Sequence, residues 1–317
     1  MSRVSAYSPD GIGEVTAGAD LAALVLEHLS PADGDVVLVT SKVVSKAEGR
    51  VVGGDREDAI TAETVRLVAL KGPTRIVRTR HGLTMAAAGV DASNVAPGCV
   101  VLLPEDPDGS ARALRAALLD RAGVNVGVLV TDTAGRAWRE GQTDIAVGAA
   151  GLQVLEEYAG RHDAYGNELA VTAPAVADEL AGLAELVSGK LGGRPLTLVS
   201  GRSDLVLPTG DHGPGAQALI RAESADLFGL GAREAVLAAL AGEPGSRSGF
   251  GAPAGRDEAV QALTRVAGAP PTVEGDSLVV SLPVEVAAPL AHALGWTWET
   301  GVAADDRVGV RFRPGTT

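Results

Sequence analysis

Residues 36–50 read VVLVTSKVVSKAEGR, and both the fold and the site turn on how that stretch divides. Val36–Thr40 is a continuous apolar run, the composition of a strand buried on both faces. The strand is expected to end at Ser41, with Lys42 and Lys46 just beyond it. These two are half of the four lysines in a chain of 317 residues that holds 23 arginines, so positive charge in this sequence is normally carried on Arg. An ammonium is a compact point charge that meets a phosphate without a planar partner. A hydroxyl followed by two lysines therefore reads as a phosphate subsite. The plainer alternative, a solvated strand-end Lys42 with only Lys46 or neither engaged, stays open on these residues alone.

Working outward, helical and strand-like patterns alternate over the first 200 residues. Leu21, Leu24, Val25 and Leu29 form a helical stripe that Asp20 is placed to cap. Residues 57–71 read as a second helix, TRIVRTR as a strand, and residues 98–104 as another. SARALRAALLDRAG reads as a helix capped by Ser110, VNVGVLVTDT as an interior strand, and residues 172–193 as a long helix ending at Gly192 and Gly193 before the strand LTLVS. After residue 201 the chain turns rich in Gly, Pro and Asp, then forms a helix near 231–241, and residues 243–255 have linker composition. The remainder offers two helices and two strands. The expected organisation is an α+β fold with a first domain over residues 1–242 and a small α+β appendage over 256–317.

Hydrophobic residues make up 46% of the chain and aromatics only 3%, so Val, Leu and Ala must fill a core that this length can readily bury. No run of about 18 apolar residues and no leader pattern is present, which predicts no membrane span and a cytoplasmic protein. A single cysteine, Cys99, excludes an intrachain disulfide and a Cys-rich zinc site. The net charge of −13 argues against nucleic acid or an anionic membrane as partner, since both need an extended basic surface. An anionic small molecule would have to be held by a local cluster of cations, backbone N–H groups or metal.

Neither the phosphate-binding Gly-x-x-x-x-Gly-Lys-Ser/Thr nor the dinucleotide Gly-x-Gly-x-x-Gly opening a helix is found. Dense polar stretches stand in their place. Asp91 lies in the small-residue loop AAAGVDASNV, and Asp132 leaves a buried strand beside Thr133; two carboxylates and a hydroxyl are hard oxygen ligands of the kind Mg²⁺ or Mn²⁺ takes. An Asp in such a place is more often a turn or cap residue, and that reading stands beside the metal one for each Asp alone. Arg136, Trp138, Arg139, Gln142 and Asp144 crowd after the same strand. Arg136 and Arg139 suit bidentate pairing with carboxylate or phosphate, or simple neutralisation of Asp132 or Asp144. Asn167 and Glu168 are candidate substrate or supporting groups. The five histidines show no metal spacing.

Taken in order, GIGEV (11–15), TSKVVSKAEGR (40–50), AAAGVDASNV (86–95), LLPEDPDGSA (102–111), TDTAGRAWREGQTDIAVGAAG (131–151) and DAYGNELAVTAPAVADE (163–179) resemble the coenzyme F420-0:L-glutamate ligase family. The resemblance covers roughly residues 5–235, including the ligase half of its two-domain members. It implies that Ile12, Gly13, Glu14, Val15, Ser41, Lys46 and Asn94 contact GTP and that Asp91, Asp132 and Thr133 hold Mg²⁺ or Mn²⁺. Beside it, Asp132 and Arg136 are read from the residues as the catalytic pair. It further implies a mixed α/β ligase fold without a P-loop or Rossmann signature, a homodimer, and a reaction in which GTP activates the terminal carboxylate of F420-0 as an acyl phosphate. The amine of L-glutamate then displaces phosphate, and further γ-linked glutamates can follow. Gly13 stands where the family often has Pro, and the flavin-binding domain of the two-domain relatives has no counterpart of its length in the segment after residue 243. The competing expectations are a non-catalytic GTP- or F420-binding protein and an amide ligase acting on another carboxylate.

Overall fold

Val36, Val37, Leu38 and Val39 are at most 2% exposed, so the opening run does form an interior strand. In this computed structural model, which describes residues 3–222, 225–226, 228–304 and 307–315, contacts divide the chain into two units, one to Ile220 and one from Arg221.

The elements of the first unit, in chain order, are β1 (Ser5–Tyr7), α1 (Leu21–His28), β2 (Val36–Thr40), α2 (Ser41–Ala47), β3 (Val51–Gly53), α3 (Arg56–Glu63), β4 (Thr64–Lys71), β5 (Thr74–Thr79), β6 (Thr84–Ala86), β7 (Cys99–Val101), α4 (Pro107–Ala122), β8 (Gly127–Arg136), β9 (Arg139–Ala150), α5 (Val176–Ser188) and β10 (Leu196–Ser200). A five-stranded sheet in the order β1-β10-β2-β8-β9 is its centre. Only β2 and β8 run parallel; the other neighbours are antiparallel. Successive strand residues face opposite sides, and the packing follows that parity. Val37, Val39, Val128 and Val130 face α1, α2 and α4, whereas Val36, Leu38 and Leu129 face α5. The fold is mixed α+β, as expected from the sequence. Helix and sheet approach closely at Gly148, where a Cβ would lie 2.4 Å from the Pro107 carbonyl oxygen.

Residues 50–104 form a side lobe of two small sheets, β3-β7 and β4-β5-β6, over their own core of Ile60, Val77, Val90, Val100 and Leu102. Here the expected helix over 57–71 is corrected. Asp55 caps it by accepting the Glu57 and Asp58 N–H groups, and it ends at Glu63. The β-branched Thr64, Val65 and Val68 then favour an extended strand, and β4 pairs antiparallel with β5. α4 starts earlier than expected, capped by Asp106 rather than Ser110, and α5 stops at Ser188, before Gly189.

The second unit contains α6 (Ala232–Ala241), α7 (Arg256–Ala267), β11 (Thr272–Glu274), β12 (Ser277–Leu282), α8 (Val284–Leu294), β13 (Trp296–Ala304) and β14 (Arg307–Pro314). Its antiparallel sheet, β11-β12-β14-β13, packs on α7 and α8 around Trp296, Phe312, Leu263 and Leu278. The division at residue 220 differs from the sequence-drawn edges at 242 and 256. α6 lies within the second unit, in contact with α8, so a boundary placed by linker composition falls beyond the one set by packing.

Candidate functional site

The strand drawn through Thr40 gives way at once to a helix. α2 begins at Ser41, so Lys42 and Lys46 are one helical turn apart and share a face, instead of standing about 13 Å apart along a strand. Both reach the loop after β6. Lys42 donates to the Ser93 carbonyl and hydroxyl and pairs with Asp91. Lys46 donates to the Asn94 carbonyl at 2.7 Å and to Glu14 Oε1. Lys46 is only 7% exposed, and a buried ammonium is costly unless acceptors replace its water; those two acceptors do so. One cation thus gathers three stretches remote in sequence: the GIGEV loop, α2 and the AAAGVDASNV loop. Ile12 and Val15 anchor the first stretch by packing into the core below α2. Gly13 has no atom within 4 Å of where a Cβ would sit, so nothing in its surroundings demands glycine. Asn94 takes a left-handed backbone, φ 54°, a conformation Asn tolerates better than most residues.

Asp132 sits on the α2 face of β8 and accepts a 2.9 Å bond from Ser41 Oγ. Burial, opposed by that bond, and then the charges of Asp144 and Asp91 push its carboxyl up to about 6. Burial also raises Asp91, but the Lys42 ammonium and the Ser93 N–H and hydroxyl outweigh it and hold that group below the ordinary range.

Thr133 is the next residue along β8 and therefore faces the other side. It pairs in register with Asp144 on β9 and donates to Asp144 Oδ1 at 2.7 Å. Lys190, just past α5, donates to the same hydroxyl and pairs with Glu185 at 2.7 Å. The three residues expected to hold metal are thus distributed: Asp91 and Asp132 lie toward α2, and Thr133 lies toward α5. Among the described residues no group of three or more His, Cys, Asp or Glu side chains converges on one point. The donor chemistry still fits Mg²⁺ or Mn²⁺, because such an ion needs only one or two carboxylates and completes its shell with water and phosphate oxygens. The raised carboxyl of Asp132 is a buried anion with two acidic neighbours, an arrangement a divalent cation would relieve.

Sequence reading did not find the β9 partner strand or the Lys190–Glu185 pair. The TDTAGRAWREGQTD stretch, whose polar residues crowd after a strand in the sequence, is the β8–β9 hairpin, closed by Ala137 and Trp138. Arg136 lies on its exposed arm, bonded to the Glu140 carbonyl, about 13 Å of strand beyond Asp132. Within one chain the structure does not bring it to the carboxylates. Asn167 is bonded to Asp163 in a local exposed turn, and Glu168 bridges back to His162 in that turn. The Gly-rich loop after β10 is held from beneath by Arg115, 3% exposed, which donates to the carbonyls of Val126, Leu207, Pro208 and Asp211. Asp108 fastens the same loop to β9 by accepting the N–H groups of Ala149 and Ala216.

Comparison with known proteins covers the stretches that carry these residues. The family model described as F420-0:Gamma-glutamyl ligase matches residues 11–201. The coenzyme F420:L-glutamate ligase of Methanopyrus kandleri is 39% identical over 237 residues, 68% of this chain and 93% of its own length. Those of Archaeoglobus fulgidus and Halobacterium salinarum are likewise 39% identical, over 63% and 70% of this chain and 88% and 94% of their own lengths. The match spans every stretch gathered at Lys46 and Asp132.

Proposed function

The chain belongs to the F420-0:gamma-glutamyl ligase family and is a ligase, and on that premise we propose that it joins L-glutamate to coenzyme F420-0 at the expense of GTP, through an acyl phosphate. The observation that carries the nucleotide assignment is the buried Lys46 ammonium, which ties together the three stretches expected to contact GTP. Glu14 and Asn94 meet Lys46 directly, and Ser41 opens the same helix with its hydroxyl on Asp132.

The reaction sets a charge problem that these residues answer. A carboxylate and a triphosphate repel each other, so alignment requires fixed positive charge and exclusion of water. Lys42 and Lys46 supply the charge on one helical face. Asp91 and Asp132 would hold Mg²⁺ or Mn²⁺, with Thr133 available from the opposite face. When bound, the ion would neutralise phosphate oxygens and polarise the bond that breaks. No protein nucleophile is required, because the activating group is the nucleotide phosphate itself.

The product is proposed to take further γ-linked glutamates, because its new γ-carboxylate presents the same reacting group again. A cytoplasmic location and a homodimer complete the reading. No helix among the described residues is long and apolar enough to cross a membrane. Support for a dimer comes from Trp138, 88% exposed at the hairpin tip, and from Val65 and Leu67, 68% and 48% exposed along β4, a strand at the edge of its sheet and so open to pairing.

The test is mass spectrometry of F420-0 incubated with purified protein, L-glutamate, Mn²⁺ and either GTP or ATP. A product heavier by one or more glutamyl groups, with GTP preferred, is the expected result. Unchanged F420-0 alongside retained GTP binding would favour a binding protein or another acceptor carboxylate.

A further inference from the structure

The α5 face of the same strand end carries charges that the nucleotide reading leaves unused. Lys190 lies two residues beyond α5 and turns its ammonium back over the sheet. It donates to Thr133 Oγ1, lies 2.7 Å from Glu185 Oε1 and 3.6 Å from Asp144 Oδ1. Glu185 accepts the Asp144 backbone N–H on its other oxygen at 3.0 Å. The pair is therefore fixed to β9 at one end and to α5 at the other.

It is also accessible. The Lys190 side chain is 57% exposed and that of Glu185 21%. An ammonium has three N–H donors. Two of them serve Thr133 and Glu185, and the third has only Asp144 at 3.6 Å, too long for a hydrogen bond. A held, solvent-facing ion pair with a donor to spare matches the head of an α-amino acid, whose ammonium and carboxylate share one carbon.

We propose that the Lys190–Glu185 pair seats the amino-acid co-substrate, with its α-carboxylate on Lys190 and its α-ammonium on Glu185. This rests on the ligase reading and adds the site of the acceptor. Asp132 and Thr133 are consecutive residues on opposite faces of β8, just past the point where β2 ends beside it, so the nucleotide on the α2 side and the amino acid on the α5 side meet at that end of β2. The ammonium passes one proton to the Glu185 carboxylate, and its nitrogen attacks the carbonyl carbon of the acyl phosphate. The C–N bond forms as the C–O bond to phosphate breaks. The phosphate leaves with that electron pair and takes up the second amine proton.

The competing account is that the pair only clips α5 to the hairpin. Steady-state kinetics on the full chain with saturating GTP, F420-0 and Mn²⁺ separate the two, using Lys190→Met, Lys190→Arg and Glu185→Gln. Losing one charge-assisted hydrogen bond should lower kcat/KM for L-glutamate by about tenfold or more in Lys190→Met. The KM for GTP and the half-saturating Mn²⁺ concentration should stay within about twofold, and Lys190→Arg should recover part of the loss. The wild-type preference for L-glutamate over 4-aminobutyrate, which lacks the α-carboxylate, should collapse in Lys190→Met. A lowered Tm with unaltered L-glutamate kinetics, or a shift in Mn²⁺ dependence in place of L-glutamate dependence, overturns the assignment. If wild-type protein converts no F420-0, the ligase reading fails separately. Calorimetric binding of L-glutamate to the GTP-loaded chain, present in wild type and lost in Lys190→Met, then still decides the role of the pair, and equal binding by both overturns it.

Discussion

Replacing Asp132 by Asn should stabilise the metal-free protein while removing its activity. The carboxyl of Asp132 is raised from its ordinary 3.8 to about 6, by burial first and by Asp144 and Asp91 after it. The native state therefore binds its proton more tightly than the unfolded chain does, and stability falls as pH rises between those two values. At about 1.36 kcal/mol per pH unit the full penalty is about 3 kcal/mol, and partial solvent access brings it to about 1–2 kcal/mol. Asn keeps the oxygen that accepts from Ser41 and carries no charge. For a protein of this size the variant should melt about 2–3 °C higher at pH 8 in EDTA. The gap should shrink steadily below pH 6 and become small by pH 4, where the native carboxyl is neutral and the unfolded one, at its ordinary 3.8, is partly so. Mn²⁺ with GTP should reverse the order, because only the wild type can then use the carboxylate. Thermal melts by circular dichroism across pH 4–8 measure this. Equal or lower stability of the variant at pH 8, or a gap that does not depend on pH, would refute the claim that Asp132 is held in a strained anionic state awaiting a cation.

Lys46→Met should weaken GTP binding by about a hundredfold or more in calorimetry, since it removes a desolvated charge-assisted donor, while circular dichroism shows a folded chain; unchanged affinity would remove Lys46 from the nucleotide site. Arg115→Met should cost about 3–5 kcal/mol in denaturant unfolding, because the carbonyls of Val126, Leu207, Pro208 and Asp211 lose their common donor. Hydrogen exchange should speed up at residues 205–213 before other parts of the first unit, and uniform exchange would count against that role. Trp138→Ser should shift sedimentation from dimer toward monomer if the exposed hairpin tip joins two copies, and an unshifted dimer assigns the interface elsewhere.

The interior strands β2 and β8 were legible because burial on both faces leaves uninterrupted apolar runs, and α1 was legible from its stripe and from Asp20. The helix over 57–71 was misread for a definable reason. Its first half is capped and acidic at the start, as a helix should be, and no Gly or Pro marks the change at Thr64; only the β-branched residues do. β9 was hidden because its outer half, Arg139–Thr143, is polar and exposed at the hairpin arm, so it shows none of the apolar signal carried by its inner half, Ile145–Ala150. α2 was hidden by brevity, since seven residues after a strand give too little period to detect. The site residues were legible only as stretches. Which stretches meet depends on β2 and β8 lying side by side in parallel, a long-range pairing that local sequence does not encode.

Lysine placement resolves once both faces of that strand end are seen. Lys42, Lys46 and Lys190 all gather there, two on the α2 face and one on the α5 face, while Arg194 holds the Asp10 carboxylate and the Ser188 carbonyl and Arg115, at the opposite end of β8, holds the Val126 and Asp211 carbonyls. Arg presents a planar fork whose several donors suit fixed partners, and Arg115 uses it to grip carbonyls permanently. An ammonium on a flexible stem can exchange one oxygen for another as substrates come and go. Lys46 would exchange Glu14 for a phosphate, and Lys190 would share Glu185 with an incoming amino acid. In a chain that elsewhere prefers Arg, three of the four lysines stand where the partner is expected to change during the reaction, which is why Lys46→Arg should bind GTP less well than wild type even though it conserves the charge.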